Sequence, residues 1–331
     1  MRGLGRFGLA MTVEFCSLVL HHFFSLYAHQ PRDPKGLRDY LKVQYGCSCR
    51  DVIPREGAVV RERKRLLIWG TTYPEFSAKY YETVCTGAVD SDTGGLIRLY
   101  PITLRFLKDR FRHYNWIEGT LEPPSNDFRP ESRRIDQDTI EVLDKIETGP
   151  KGRGWEERAE WILRDQNVFN SLEALREQER MNHTSLGLVK PKRIIDIFAK
   201  RKSDTERQEW EEKKAAAMAQ RDIFVDVTEE LDELSYIPVE YRVRFECDDE
   251  ACIGEHDLSI HDWGVYQMGR KQFARGGPHF AERSVLSKLQ EIMDLEKKDF
   301  YFFLGNTRGH CESFMVVGFF YPPKQPQHKL F

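Results

Sequence analysis

The sequence predicts a mixed α+β protein, with small β-barrel units followed by an α+β domain that has antiparallel core strands. Three observations carry this. Short apolar runs joined by glycine-rich turns recur between Leu66 and Tyr100, the texture of a small barrel or sandwich. Val239, Tyr241, Val243 and Phe245 alternate with charged residues, the mark of a strand with one buried face. Two strongly apolar runs, Phe300–Leu304 and Phe314–Tyr321, lie near the end and have the composition of strands buried on both faces. The expected divisions are a leader over 1–60, a barrel-like region with charged helical segments over 65–235, and an α+β domain over 236–325.

The first sixty residues stand apart. A basic start at Arg2 and Arg6 and an apolar stretch from Phe7 to Leu20 have the form of a signal peptide. Glu14 interrupts that stretch, which also falls short of the about 20 apolar residues a membrane span needs. With Pro31, Pro34 and Pro54 and no periodicity, the segment is expected to be a poorly structured leader or a mis-assigned start.

From Leu66 the elements follow in order. Leu66–Gly70 is a buried strand, Tyr81–Val89 a second, and the turn Asp90–Gly95 leads into a third, Leu96–Tyr100. Pro101 in a first-turn position predicts a helix over Ile102–His113. After a proline-marked loop, a helix is expected over Asp136–Glu147, and Gly149–Gly154 is a break. An amphipathic helix is predicted over Trp155–Glu179. Ser185–Phe198 returns to strand composition, with Pro191 confining it to an edge or a bulge. The charged stretch 199–222 is expected to be a solvated helix supported by pairs such as Glu209–Lys213. In the last hundred residues, helices are predicted near Asp262–Phe273 and Phe280–Glu296, separated by Gly276–Pro278.

Composition limits the function classes. With 50 basic and 53 acidic residues the formal net charge is −3, so capture of nucleic acid requires a local patch. The seven cysteines are an odd, scattered set, which points to a reducing, cytoplasmic compartment. The sequence contains no phosphate-loop, dinucleotide, nucleophile-elbow or paired-histidine zinc motif.

Two constellations remain. Cys247, Cys252 and His256 offer three soft donors around a glycine, close to half of a structural zinc site. Tetrahedral zinc needs a fourth donor, for which His261, His310 and Cys311 are candidates and His310 is retained. The second constellation interleaves cations and rings: Arg98, Tyr100, Arg105, Lys108, Arg110, Arg112 and Trp116. Small barrels bind strands this way, with cations on phosphates and rings on bases. A further basic cluster spans Lys190 to Lys202.

The runs Ile68–Gly87, Ile97–Ile102, Ser185–Pro191, Phe303–Thr307 and Gly318–Pro323 resemble an uncharacterised bacterial family with paired small β-barrels of the oligonucleotide-binding type. The resemblance spans about residues 65–323; it implies that fold and a binding tendency, and no catalytic residue. The expected function is a nucleic-acid-binding or accessory protein with a zinc-stapled C-terminal domain, taking single- or double-stranded nucleic acid. The alternatives are a metal-dependent hydrolase such as a nuclease, and a non-catalytic subunit contacting a protein partner through 199–222.

Overall fold

Both faces of the first strand are buried, and this organises the molecule. In β1 (Glu62–Thr71), Leu66 and Ile68 belong to one apolar core, while Leu67 and Trp69 belong to another. Such a strand must carry apolar side chains on both sides. In the computed structural model, which describes residues 61–77, 81–103, 111–124, 127–148, 154–219 and 236–324, the first core fills a barrel. The expected leader over 1–60 lies outside the described residues.

Besides β1, the barrel is built from β3 (Tyr81–Asp90), β4 (Leu96–Thr103), β5 (Asn115–Glu122) and β6 (Ser132–Lys145), with the short β2 (Glu75–Ser77) pairing on β3. The hydrogen-bonded order is β1-β5-β6-β4-β3, and β3 pairs back onto β1, so five strands close. All pairings in the ring are antiparallel except β4 with β6, where Arg98 and Leu99 lie opposite Ser132 and Arg133. Val84, Leu99, Ile102, Ile117 and Leu121 fill the interior.

Beyond the barrel come, in order, helix α1 (Gly154–Ile162), strand β7 (Val168–Phe169), helix α2 (Leu172–Asn182) and strand β8 (Leu186–Val189). These strands join β12 (Tyr301–Thr307) and β13 (His310–Phe320) in a four-stranded sheet ordered β13-β12-β8-β7. A three-stranded sheet places β10 (Val239–Cys247) between β9 (Pro191–Arg201) and β11 (His256–Ser259). Helix α4 (Trp263–Ile292) covers the core that these sheets share, while α3 (Asp204–Ala219) exposes nearly all its length. Because β9 pairs with β10 from Val239 to Cys247, one sheet crosses position 235. A single closed barrel is present among the described residues, followed by open sheets, in place of the several barrel units expected.

Several expectations are met. Alternate burial along β10 follows the sequence alternation, Pro191 opens β9 beside a register shift, and Gly277 breaks α4 with a φ of 76° just ahead of Pro278. Three helices are corrected. Residues Asp136–Lys145 belong to strand β6, not a helix. There the register jumps from Thr120–Asp136 to Glu118–Glu141, and Thr139 inside the jump accepts from the Thr120 amide and donates to the Asp136 carbonyl. That bulge puts Ile135 and Ile140, five positions apart, into one core and erases the two-residue period. Ile102 and Thr103 continue strand β4, since Ile102 fills the barrel and Thr103 donates twice to Gln137 Oε1; Arg112 and His113 lie in a turn, and 104–110 lie outside the described residues. The long helix from Trp155 is two helices. Asn167 Nδ2 holds the turn between them by donating to the Gly94 and Ile162 carbonyls, and Ser171 caps α2 by accepting from the Ala174 amide at 3.2 Å.

The barrel is joined to the four-stranded sheet by Trp69. Its ring stacks on Phe303 with centroids 3.9 Å apart and planes within 4°, and Nε1 donates to the Ala88 carbonyl at 3.0 Å. Gly87 leaves the space this indole fills: a Cβ there would stand 2.1 Å from Trp69 Cζ2. Trp69→Ala is therefore expected to cost about 3–5 kcal/mol and Gly87→Ala about 1–3 kcal/mol through forced repacking. Urea denaturation followed by circular dichroism checks both; an unchanged midpoint in Gly87→Ala would show that the indole is not held there.

Candidate metal centre and barrel cavity

The hairpin of β10 and β11 sets two soft donors close together. Cys247 ends β10, His256 opens β11 opposite Phe245, and the loop between returns Cys252 toward them. Gly254 adopts a φ of 117° in that loop, a conformation other residues rarely take, and its carbonyl accepts from Cys252 Sγ at 3.3 Å. Cys252 Sγ lies 3.3 Å from His256 Nε2. The fourth donor comes from the first turn of α2: Glu173, with Oε2 3.4 Å from His256 Nε2. The donor atoms of Glu173, Cys247, Cys252 and His256 all lie within 4.8 Å of one another.

This group fits a metal ion. Both Glu173 carboxylate oxygens are buried without a hydrogen bond; the basic groups facing them are His256 Nε2 at 3.4 Å and Arg176 Nη1 at 3.9 Å. Buried carboxylate oxygens demand a cation or a donor. Zinc bonds of about 2.0–2.3 Å place tetrahedral donors roughly 3.3–3.8 Å apart, within the spread seen here. The Leu172 amide at the start of α2 donates to Cys247 Sγ at 3.4 Å, and a helix N-terminus favours thiolate. Burial pushes the Cys247 thiol up to about 12 and holds His256 below its usual value, opposed by Glu173. An empty group thus favours neutral thiol and neutral imidazole, and a metal displaces the thiol proton.

The second feature is a cavity of about 520 Å³ between the barrel and the sheet that packs on it. On β4, Ile97 and Leu99 face the barrel interior, so Arg98 and Tyr100 share the outer face. Arg98 is 4% exposed and donates through Nη2 to the Ser185 carbonyl at 3.2 Å. Tyr100 stands at the cavity with 42% exposure, its hydroxyl accepting from Thr83 at 3.2 Å. Arg129 Nη1 crosses to the Asn306 carbonyl at 2.9 Å while its other nitrogens hold Asp127. Its ion pair keeps the Asp127 carboxyl down to about 2, against burial, which acts the other way. Cys85 also lines the cavity, and burial pushes its thiol up, opposed by Arg98 and Arg129.

Comparison with known families divides the chain at the turn Asp165–Asn167. A domain of unknown function, DUF8757, matches residues 166–331. The chain belongs to that family. A second domain of unknown function, DUF8758, matches residues 62–164, and no curated protein matches. The four candidate metal ligands lie wholly within the DUF8757 region. The cavity is shared, with Arg98 and Tyr100 from the DUF8758 match and Leu186, Asn306 and Met315 from the DUF8757 match.

The structure gathers only some of the residues singled out from the sequence. Arg98 and Tyr100 meet at the cavity. Arg112 is exposed in the turn before β5. Trp116 is buried, with Arg65 4.7 Å above its ring and the Trp161 edge at 5.0 Å, so it offers no face to a ligand. Arg105, Lys108 and Arg110 lie outside the described residues. In the second basic cluster, Lys190, Lys192 and Arg193 are paired with Asp299, Asp248 and Glu246. His310 is exposed at the start of β13 and stands apart from the four donors, its place being taken by Glu173. No local spacing marks Glu173, because α2 meets the hairpin only through tertiary packing. Among the described residues no helix is long and apolar enough to cross a membrane.

Elemental analysis of the purified protein is expected to give one metal per chain, lost in Cys247→Ser and kept in His310→Ala. Without metal, the raised Cys247 value makes the neutral thiol stabilising below its ordinary value of 9.0, a contribution lost as pH rises toward about 12. With metal the preference reverses, because the thiolate binds. Cys247 and Cys252 each give up a thiol proton on binding, so affinity measured against a competing chelator should rise roughly a hundredfold per pH unit between pH 6.5 and 8. A tenfold rise would leave one thiolate in the ligand set, and a flat profile would remove both.

Proposed function

We propose that this protein binds single-stranded nucleic acid in the cytoplasm through a barrel of the oligonucleotide-binding type, with its C-terminal half stapled by zinc. The observation that carries the reading is the order of the ring. Taking β1, β3, β4, β5 and β6 as first to fifth, the order is first-second-third-fifth-fourth, with the third and fifth parallel. That order supports a barrel of the oligonucleotide-binding type, which takes its ligand across strands two and three, between the first-second and fourth-fifth loops. Here the cavity touches Thr83 and Cys85 on the second strand and Arg98 and Tyr100 on the third. Thr72 and Tyr73 from the first-second loop and Asp127 and Arg129 from the fourth-fifth loop complete it.

In this reading Tyr100 stacks on a base, Arg98 neutralises phosphate inside the cavity, and Arg112 acts on phosphate from the exposed turn. Two sulfurs and an imidazole favour zinc over harder cations. Four protein donors around one ion describe a staple, because a hydrolytic zinc keeps one position for water; the site joins α2 to the β10–β11 hairpin.

Fluorescence anisotropy of the full chain with labelled single- and double-stranded DNA and RNA across a salt series tests the reading. Micromolar or tighter binding to single strands, weakening steeply with salt, is expected. Tyr100→Ala should cost about 1–3 kcal/mol, and Arg112→Glu should flatten the salt slope by roughly 1. No binding to any strand at low salt would overturn it.

A further inference from the structure

Arg98 is a buried guanidinium without a hydrogen-bonded counter-ion. Its Nη1 makes no hydrogen bond within the protein, Nη2 donates to a neutral carbonyl, and the Cys85 side chain is a further hydrogen-bonding neighbour. The two nearby carboxylates are engaged elsewhere. Asp127 is held by two Arg129 nitrogens at 2.9 and 2.6 Å. Glu131 accepts from the Ser185 amide and hydroxyl at 2.7 and 2.9 Å and from the Leu186 amide. Both act on Arg98 only through space, and burial is the largest influence, weakening its hold on the proton. Cys85, its other neighbour, is kept a neutral thiol by burial. A cation this deep is costly unless something pairs it, and it lines a cavity large enough for a small ligand.

The charge of the lining selects the ligand. Arg98, Arg129 and Arg134 line the cavity with Glu75 and Asp127; Arg129 is paired with Asp127, whereas no carboxylate bonds Arg98. A phosphomonoester carries about −1.5 to −2 at pH 7, a stronger counter-charge for that guanidinium than the single charge of a phosphodiester inside a strand. The planar guanidinium also suits bidentate contact with phosphate oxygens. Tyr100, about 7 Å along the strand from Arg98, offers a ring to the same nucleotide. On the far side, β8 and the β12–β13 hairpin wall the cavity with Leu186, Asn306 and Met315, which suits an end of a chain better than its middle.

We propose that the cavity binds the phosphomonoester of a nucleotide, with Arg98 as its counter-ion and Tyr100 against its base. The inference rests on the nucleic-acid reading for its larger ligand, a strand end; a free mononucleotide presents the same chemistry. The test compares one oligonucleotide sequence bearing a 5′-phosphate, a 3′-phosphate or only hydroxyls, by anisotropy on the full chain, with adenosine monophosphate and adenosine as competitors. A terminal phosphate at one end should tighten binding at least tenfold, and the monophosphate should compete where the nucleoside does not. Arg98→Met should bring the ratio of phosphorylated to unphosphorylated affinity toward one, and Arg98→Lys should retain part of it. Melting temperatures of both variants verify folding, and the wild-type comparison needs neither.

The outcomes separate the two readings. Equal binding of all three oligonucleotides would overturn the phosphomonoester site and leave strand binding standing. Binding of the monophosphate with no oligonucleotide bound would support the site and remove the nucleic-acid function. Failure of every probe would overturn both.

Discussion

The stack of Trp69 on Phe303 is the contact on which the other features depend. Trp69 lies within the buried stretch of β1, its ring lies flat on the four-stranded sheet, and Gly87 and Gly318 clear the space around it. A large ring shared by two layers removes apolar surface from both at once, which is where aromatic side chains contribute most. It also sets the distance between the layers. With that distance defined, Arg98 reaches the Ser185 carbonyl, Arg129 reaches Asn306, and Glu131 receives the Ser185 and Leu186 amides. The polar contacts around the cavity are thus positioned by an apolar one. Directional bonds alone define such a spacing poorly, since each contributes only about 1 kcal/mol net.

A metal held by Glu173, Cys247, Cys252 and His256 would serve a comparable purpose in the other core. The loop from Asp248 to Glu255 is acidic and exposes Ile253 at 80%, so it has little apolar surface with which to fold. Four donors, from a helix start, two strand ends and the loop itself, stand where a bound ion would supply the missing constraint. Asp262 works by a different means, accepting from the Val265 amide at 2.9 Å to begin α4 while its backbone bridges to Thr72 beside the barrel.

Legibility in the sequence followed the physics of each element. The alternation from Val239 to Phe245 reads directly, since β10 has one face on a core and the other on charged neighbours such as Asp196 and Asp257. The three soft donors of the metal group were visible because they sit in one hairpin. Glu173 was not, because only the packing of α2 against that hairpin brings it in. Strand β6 was hidden by its bulge, which makes the spacing of Ile135 and Ile140 resemble neither a strand nor a solvated helix. Trp116 illustrates the opposite error. A ring among cations suggests a stacking platform, yet Arg65 and Trp161 cover it, and composition alone does not say which side of a ring faces solvent.

The cavity's divided ownership has a thermodynamic consequence. One wall belongs to the closed barrel and the other to the sheets that follow, so neither half alone presents the complete surface. A ligand there contacts both and stabilises their docked arrangement by RT ln(1 + [L]/Kd), about 2.7 kcal/mol at a hundredfold excess over Kd. Occupancy and cohesion of the two halves are therefore one equilibrium. A substitution far from the cavity that loosens the docked halves weakens the ligand without touching it, and a bound ligand masks part of that damage.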